Sequence, residues 1–462
     1  MFRAVSLFSG AGGLDLGFVQ TGKFNVVFAN DVLPHAVETY AENFKLDPVF
    51  CTGKRTVAKP GTVMACDVSL IDFSELGEAD VVIGGPPCQD FSIVRGPSWD
   101  RRGIEVVRGR LYAHFVRALV ALKPKAFVFE NVPGLVSANG GLAYKIILDD
   151  FQRLNIRWDE VKKAIGIGGN GAGRAEGYEV VYSDVADFSA LGVPQRRKRL
   201  LVVGVRRDLV RSIEDLWRMK AALQEALSGR RWLFRHFPLT PLEVFEGDRL
   251  DKLHHAYREV MEEWRGVWEE VGTPRAWEWK REVWDRLTFD VVEDYLLANK
   301  APRSGLDEAL KQHEEVLREL GYLGVPVSSL RLPDGTTDVP QDEKSVLERM
   351  RRIPPGENHE FVRGTKWEVE GKGISLVYRR LHPLKPSYTI VAYGGGGTHG
   401  YHYRRSRATL TLRERARLQT FPDSFIFSGT ASRIRAQIGE AVPPLASKRL
   451  AEALAVVLKE LV

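Results

Sequence analysis

The stretch Ala4–Leu14 reads AVSLFSGAGGL, and it decides the fold class. Ala4–Phe8 is a short β-rich run, Ser9–Gly13 is a glycine-dense turn, and a helical pattern begins at about Leu14. Strand, glycine turn and helix in that order let a ligand approach the backbone at a helix N-terminus, where amides lack internal partners. Working outward, β-rich runs recur at Val26–Asn30, Ala79–Ile83, Ala126–Phe129 and Leu200–Val205, with a helix at Tyr112–Leu122. This alternation predicts an α/β fold built on a doubly wound, mostly parallel sheet. Gly166–Gly173 is glycine-rich and reads as an inserted loop.

Composition narrows the class. The 462 residues suffice for two or three domains. At 44% apolar and 27% charged residues the chain is ordinarily globular, and no apolar run approaches the ~20 residues that cross a bilayer. Glycines interrupt the N-terminus MFRAVSLFSGAGG where an export signal would stay apolar, so a cytoplasmic protein is expected. Cys51, Cys66 and Cys88 lack CxxC spacing, which indicates neither a disulfide framework nor a zinc site. Cys51 and Cys66 read as small buried hydrophobes, and a reducing compartment fits. The balance of 66 Lys+Arg against 60 Asp+Glu, a net +6, favours a polyanionic partner without requiring one. Basic side chains crowd into Gln195–Arg199 (QRRKR), Arg206, Arg207 and Arg211, and again at Arg404, Arg405 and Arg407. Alone, such runs read as solvated faces.

The texture changes after about Val205. Residues 209–320 are rich in charge and helix formers, and six of the ten tryptophans lie from Trp232 to Trp284. The spacing of Trp264 with Trp268, and of Trp277 with Trp284, predicts helix packing rather than stacking on bases. Beyond Leu330 the chain becomes loop-like, with turn signals at Pro333-Asp334-Gly335 and Pro354-Pro355-Gly356.

Two acids sharpen the glycine turn. Asp31 ends the second strand, where a carboxylate can accept both hydroxyls of a ribose, and Asp67 is placed to accept an adenine amino group. Either could equally be a turn or capping Asp. With the turn they outline a nucleoside pocket. Gly84-Gly85-Pro86-Pro87-Cys88-Gln89 directly follows the strand Ala79–Ile83. Its prolines stiffen the chain so that Cys88 leaves the carboxyl edge of the sheet, where open α/β folds bind ligands. A thiol of pKa ~8.5 is only slightly ionised at neutral pH, so a neighbouring cation or helix N-terminus would help supply the thiolate.

These residues, in this order, resemble the DNA (cytosine-5) methyltransferases of prokaryotic restriction–modification systems. Phe8–Gly13 is similar to the family's cofactor turn, Pro87-Cys88-Gln89 to its nucleophile motif, and Glu130-Asn131-Val132 to its acid motif. Gln195-Arg196-Arg197-Lys198-Arg199 matches Gln-x-Arg-x-Arg, Thr411–Asp423 (TLRERARLQTFPD) the ninth motif, and Gln437–Pro444 (QIGEAVPP) the tenth. The likeness covers residues 1–205 and about 376–462. It implies an S-adenosylmethionine-dependent methyltransferase fold of Rossmann-like type with a smaller, mixed target-recognition domain. The domains expected are 1–207 (catalytic, cofactor-binding), 208–400 (target recognition, with a helical insertion about 209–330) and 401–462 (hinge and return helix). The helix Pro444–Leu461 is expected to pack back on the N-terminal domain.

The resemblance implies covalent chemistry. Cys88 would add to carbon 6 of a cytosine flipped out of duplex DNA, making carbon 5 an enamine nucleophile toward the cofactor's methyl group. Negative charge builds at N3, where Glu130 would hold or share a proton, helped by a desolvated site that raises a carboxyl pKa. Without the resemblance Glu130 reads as a buried acid paired with an Arg. Arg197 and Arg199 would hold the target nucleotide, one at the base carbonyl and the other supporting the loop or phosphate. The cofactor set is Phe8, Ser9, Gly10, Gly12, Gly13, Leu14, Asp31, Val32, Asp67, Val68, Pro87, Leu111, Glu440 and Ala441. Pro87, Gln89, Ser92, Asn131, Val132, Gln195 and Thr389 would meet the substrate, and Asp90–Gly109 would close over the flipped base. Glu440 departs from the family, where an Asn is usual, which puts its cofactor contact in doubt.

Other readings remain open. A nicotinamide dehydrogenase would share the glycine turn but not PPCQ or ENV, and amino-group methyltransferases carry Pro-Pro-Tyr/Phe in place of Pro86-Pro87-Cys88. An RNA cytosine-5 methyltransferase would share the whole core; a catalytically silent DNA-binding protein would keep the fold. The partners expected are double-stranded DNA and a cognate restriction endonuclease acting on the same site without stable binding, with no membrane and a monomeric enzyme.

Overall fold

The computed structural model describes residues 1–87, 110–165, 176–369, 377–392 and 400–461. Its described strands are β1 Phe2–Leu7, β2 Phe24–Asp31, β3 Asp47–Phe50, β4 Thr56–Val57, β5 Thr62–Ala65, β6 Ile71–Asp72, β7 Val81–Gly84, β8 Ala126–Asn131, β9 Tyr178–Asp187 and β10 Lys198–Arg206. Eight of them form one sheet in the order β3-β5-β2-β1-β7-β8-β10-β9. The first six run parallel, and β10 lies antiparallel between β8 and β9. The apolar run Val81-Val82-Ile83 is fully buried in β7, as a strand covered on both faces requires. Strand order reverses between β1 and β7, so the residues after Leu7 and Gly84 leave the sheet at a topological switch point, together with the end of β8.

The five strands expected from sequence all form. The β3–β5 edge and the ten-residue β9 were not anticipated: Asp47–Phe50 carries a proline and a charge, and β9 mixes polar with apolar residues on an edge. Helix α1, Gly13–Gln20, starts within the glycine turn, and α3, Arg110–Leu122, follows α2, Pro34–Phe44.

The chain divides into two compact units, Met1–Asp187 with Lys198–Arg231 and Val442–Val462, and Phe188–Arg197 with Trp232–Ala441. These boundaries differ from the sequence-based ones at 207/208 and 400/401. Residues 208–231 stay with the sheet because Ile213–Leu227 is a helix beside the C-terminal helix Pro444–Glu460. Phe188–Arg197 and 401–441 fall in the second unit. The return helix does pack on α1: a Cβ on Gly17 would stand 2.4 Å from both Lys448 N and Pro444 O, and Ser447 Oγ donates to Leu14 O.

One expectation from the cysteines is overturned. Cys51 and Cys66 form a disulfide, with Cα atoms 5.2 Å apart. The parallel register of β3 on β5 pairs Phe50 with Ala65 and so sets the next residues side by side. Fifteen positions of sequence separation hid that alignment.

In the second unit the insertion is helical, including Pro241–Glu246, His254–Glu262, Pro274–Glu282, Val291–Asn299 and Leu306–Glu319. Trp264, Trp268 and Trp279 are buried in one apolar cluster with Trp284 against it. Trp277 is instead 41% exposed, so Trp279 is the inward residue of its helix. The arginines at 404, 405 and 407 are ion-paired with Glu263, Glu270 and Glu414. Helix Leu412–Leu418 carries a Thr411/Glu414 capping box and buries Arg413 on Asp334 and Arg417 on Asp423.

Two predictions follow from this packing. Gly17→Ala forces α1 off the return helix and should lower stability by about 1–3 kcal/mol, read by denaturant unfolding. His313 is buried with Nδ1 2.8 Å from Glu243 Oε1 and Nε2 2.8 Å from Phe237 O, so both ring nitrogens face acceptors. Burial opposes the charged ring, but Glu243 and the Phe237 carbonyl outweigh it and raise the pKa above the ordinary 6.5. That stabilisation is complete below the ordinary value and is lost as pH rises through the raised one. The melting temperature should fall with rising pH in that window, and His313→Gln should flatten the slope.

Candidate active site

The glycine turn and the first acid are built as one piece. Gly10 N donates to Asp31 Oδ2 and Leu33 N to Asp31 Oδ1, each at 2.9 Å, while Ser9 N donates to Asn30 O. Burial pushes the Asp31 carboxyl above its ordinary range, opposed by those amides and by His35. Phe8 adopts φ 56°, an uncommon value for a bulky residue, followed by Gly10 at 53° and Gly12 at 92°. A Cβ on Gly12 would strike Phe44 and Tyr40, whereas one on Gly10 would meet nothing within 4 Å. The turn is thus supported from beneath at Gly12 and open at Gly10.

The other residues expected at the cofactor take the following places. Val32, beside Asp31, is 63% exposed, an apolar surface in the open. Val68 belongs to the apolar core cluster on which Phe8 and Leu111 also pack. Asp67 is exposed and caps the turn Val68–Leu70 by accepting Ser69 N at 2.9 Å. Burial raises its pKa less than the Ser69 bonds and His114 lower it, so it is a carboxylate. The capping role and a ligand role are compatible, because the cap occupies one oxygen.

The acid motif is clamped to the segment that leads to the cysteine. Glu130, near the end of β8, pairs with Arg199 of β10, Nε to Oε1 at 2.9 Å, both side chains largely buried. A Cβ on Gly85 would stand 2.6 Å from Glu130 Oε2, so with glycine here the backbone lies against the carboxylate without displacing it. Asn131 Nδ2 donates to Pro86 O and Asn131 Oδ1 accepts from Val132 N, both at 2.9 Å. Gly85, Pro86 and the exposed Pro87 therefore run beside Glu130. Cys88, Gln89, Ser92 and the loop Asp90–Gly109 lie outside the described residues.

The remaining motif residues take other places. Gln195 and Arg197 are buried in the second unit. Gln195 donates to Leu418 O and Gln419 Oε1 and accepts from Ile390 N. Arg197 donates to the carbonyls of Ile390, Gly439 and Glu440. Both side chains are buried in these contacts, while Arg196 and Lys198 on either side of Arg197 are exposed. Thr389 Oγ1 donates to Arg196 O at 2.6 Å. Glu440 is exposed and ends the helix Ala431–Glu440, and Ala441 O accepts from Gln419. Sequence reasoning did not foresee Gln419, whose amide joins Gln195 to Ile438 O; its signal was its place in the ninth motif.

The model of C-5 cytosine-specific DNA methylases matches residues 2–162 and 172–455. The chain belongs to this family. Over 464 residues it is 66% identical to the DNA (cytosine-5-)-methyltransferase M.ApeKI of Aeropyrum pernix, covering 99% of each chain. This protein is accordingly a DNA (cytosine-5-)-methyltransferase. It is 32% identical over 456 residues to the type II methyltransferase M.NgoFVII of Neisseria gonorrhoeae, covering 98% of this chain and 86% of that one. A crystal structure described as a DNA modification methyltransferase encoded within an E. coli prophage shares the fold, at TM-score 0.52 and 22% identity over 99% of this chain and 100% of the other. Family and fold imply S-adenosylmethionine, and the residues present suit it: a glycine turn open at Gly10, a carboxylate tied to that turn at Asp31 and an exposed apolar side chain at Val32.

Gly85→Ala tests the clamp. The added methyl must displace the Glu130 carboxylate or the Pro86 segment, so turnover should fall by about 10²-fold, with S-adenosylmethionine affinity by calorimetry unchanged.

Proposed function

We propose that this methyltransferase methylates carbon 5 of a cytosine flipped out of double-stranded DNA, with Cys88 as the nucleophile. The observation that supports the reading is that Gly85 and Pro86, the residues leading to the Pro87-Cys88-Gln89 motif, lie against Glu130 and Asn131 of the acid motif. The Cys88 thiolate adds to carbon 6, and the pyrimidine becomes an enamine nucleophilic at carbon 5. Glu130 holds the proton at N3, where charge develops, and Arg199 orients Glu130 and reaches the base. Arg197 and Gln195 act as positioning residues that order the backbone of Ile390 and Gly439. When bound, S-adenosylmethionine supplies an electrophilic methyl group. Phe8–Leu14 would cradle it, with Asp31 at the ribose, Val32, Val68 and Leu111 about the adenine, and Asp67 at its amino group; Pro87, Glu440 and Ala441 complete the proposed set. The proton at carbon 5 then leaves to a base, and the Cys88–carbon 6 bond breaks.

The second unit, which holds the helical insertion, is the segment assigned to reading sequence, with Thr389 near the DNA. The enzyme is read as a cytoplasmic monomer, the modification half of a type II restriction–modification system, acting beside an endonuclease that it does not hold stably. The names of the two relatives support that setting; no described helix is long and apolar enough to cross a membrane.

The decisive experiment is covalent trapping. Duplexes with 5-fluorocytosine at the target position should yield a denaturation-resistant complex in the presence of S-adenosylmethionine, and Cys88→Ala should yield none. A Cys88→Ala protein that still methylates would overturn the mechanism, and methyl transfer to tRNA but not to duplex DNA would overturn the substrate.

A further inference from the structure

Cys51 and Cys66 have no part in the proposed chemistry, yet their bond sits at the wall of the nucleoside pocket. Cys66 N donates to Asp31 O at 2.9 Å. Cys66 O accepts from Asn30 Nδ2 at 2.8 Å, and the same amide holds Met64 O at 3.1 Å. The next residue is Asp67. The half-cystine thus lies between the two acids, tied to the backbone of one and adjacent in sequence to the other. Cys51 follows β3, a four-residue strand that among the described residues is outermost and pairs with β5 alone, and its amide donates to Ala65 O at 3.1 Å. Short edge strands fray first. Here the edge is fastened covalently to the residue that precedes Asp67.

We propose that the Cys51–Cys66 crosslink is a positioning device of the cofactor pocket, holding the Asp31–Asp67 wall so that affinity for S-adenosylmethionine depends on its being oxidised while the chemical step does not. The inference rests on the reading of Asp31 and Asp67 as the nucleoside acids. Cys66 is buried and Cys51 only half-buried, so Cys51 is the sulfur that a small dithiol reaches. The dithiol's thiolate attacks Cys51 Sγ; the Sγ–Sγ bond breaks with its electron pair on Cys66, which takes up a proton. The second thiol of the reductant then closes its own disulfide and releases Cys51 as a thiol.

The test is calorimetric titration of the full chain with S-adenosylmethionine and with S-adenosylhomocysteine, before and after dithiol treatment, with Asp31→Ala and Cys51→Ser/Cys66→Ser proteins alongside. Thiol titration under denaturing conditions should find one thiol before reduction and three after. Reduction and the double substitution should each raise Kd about tenfold through lost preorganisation, with kcat at saturating cofactor unchanged. Unchanged Kd on reduction, with Asp31→Ala weakened, would overturn the crosslink's role and leave the pocket standing. Unchanged Kd in both would overturn the pocket reading and this inference with it. Three thiols in the untreated protein, or unfolding on reduction, would overturn it as well. If the double variant does not fold, the reduced native chain carries the measurement.

Discussion

A carboxylate at the edge of a sheet must be paired, and its partner decides where it points. Glu130 is paired from one side by Arg199 and lies on the other against the Gly85 backbone, where a Cβ would stand 2.6 Å from its Oε2. Because β10 runs antiparallel to β8, Leu201 stands opposite Glu130 and Arg199 reaches across from near the end of its strand. The reversed strand is thus what delivers the arginine to the acid. The same edge receives the Pro86 segment through Asn131. Glu130, Arg199 and the Gly85–Pro86 segment are one connected assembly, and the sheet topology brings all three together.

The cofactor side follows a parallel logic with weaker individual bonds. Asp31 takes an amide on each oxygen, and one of those amides belongs to the turn it faces. The turn and the acid therefore cannot move independently. Tyr40 stacks on Phe44, with ring centroids 4.1 Å apart, and the two rings fill the space beneath Gly12. Such support from below keeps a positive-φ backbone in place without filling the space above it.

Much of this was legible in the sequence, for identifiable reasons. Strands buried on both faces, such as Val81–Gly84, announce themselves as continuous apolar runs, and a glycine turn between a strand and a helix has few other uses. Edge elements were less legible: β3 and β9 owe their pairing to neighbours rather than to pattern. The disulfide escaped because register, which is tertiary, sets Cys51 beside Cys66. That Gln195 and Arg197 are buried while Arg196 and Lys198 are exposed is set by packing, which composition does not carry. From sequence Glu130 reads as a buried acid that needs an Arg; which Arg it takes is set by the antiparallel pairing of β10 on β8.

The alternation across Gln195–Arg199, buried, exposed, buried, exposed, half-buried, has a consequence for how this stretch can evolve. Its information is carried by parity as much as by identity. Inserting one residue ahead of Lys198 would take Arg199 from Glu130 and set Lys198 in its place, and deleting one would set Leu200 there. A substitution at Arg196 or Lys198 touches an exposed position, whereas a slip of one residue moves every later side chain in the run.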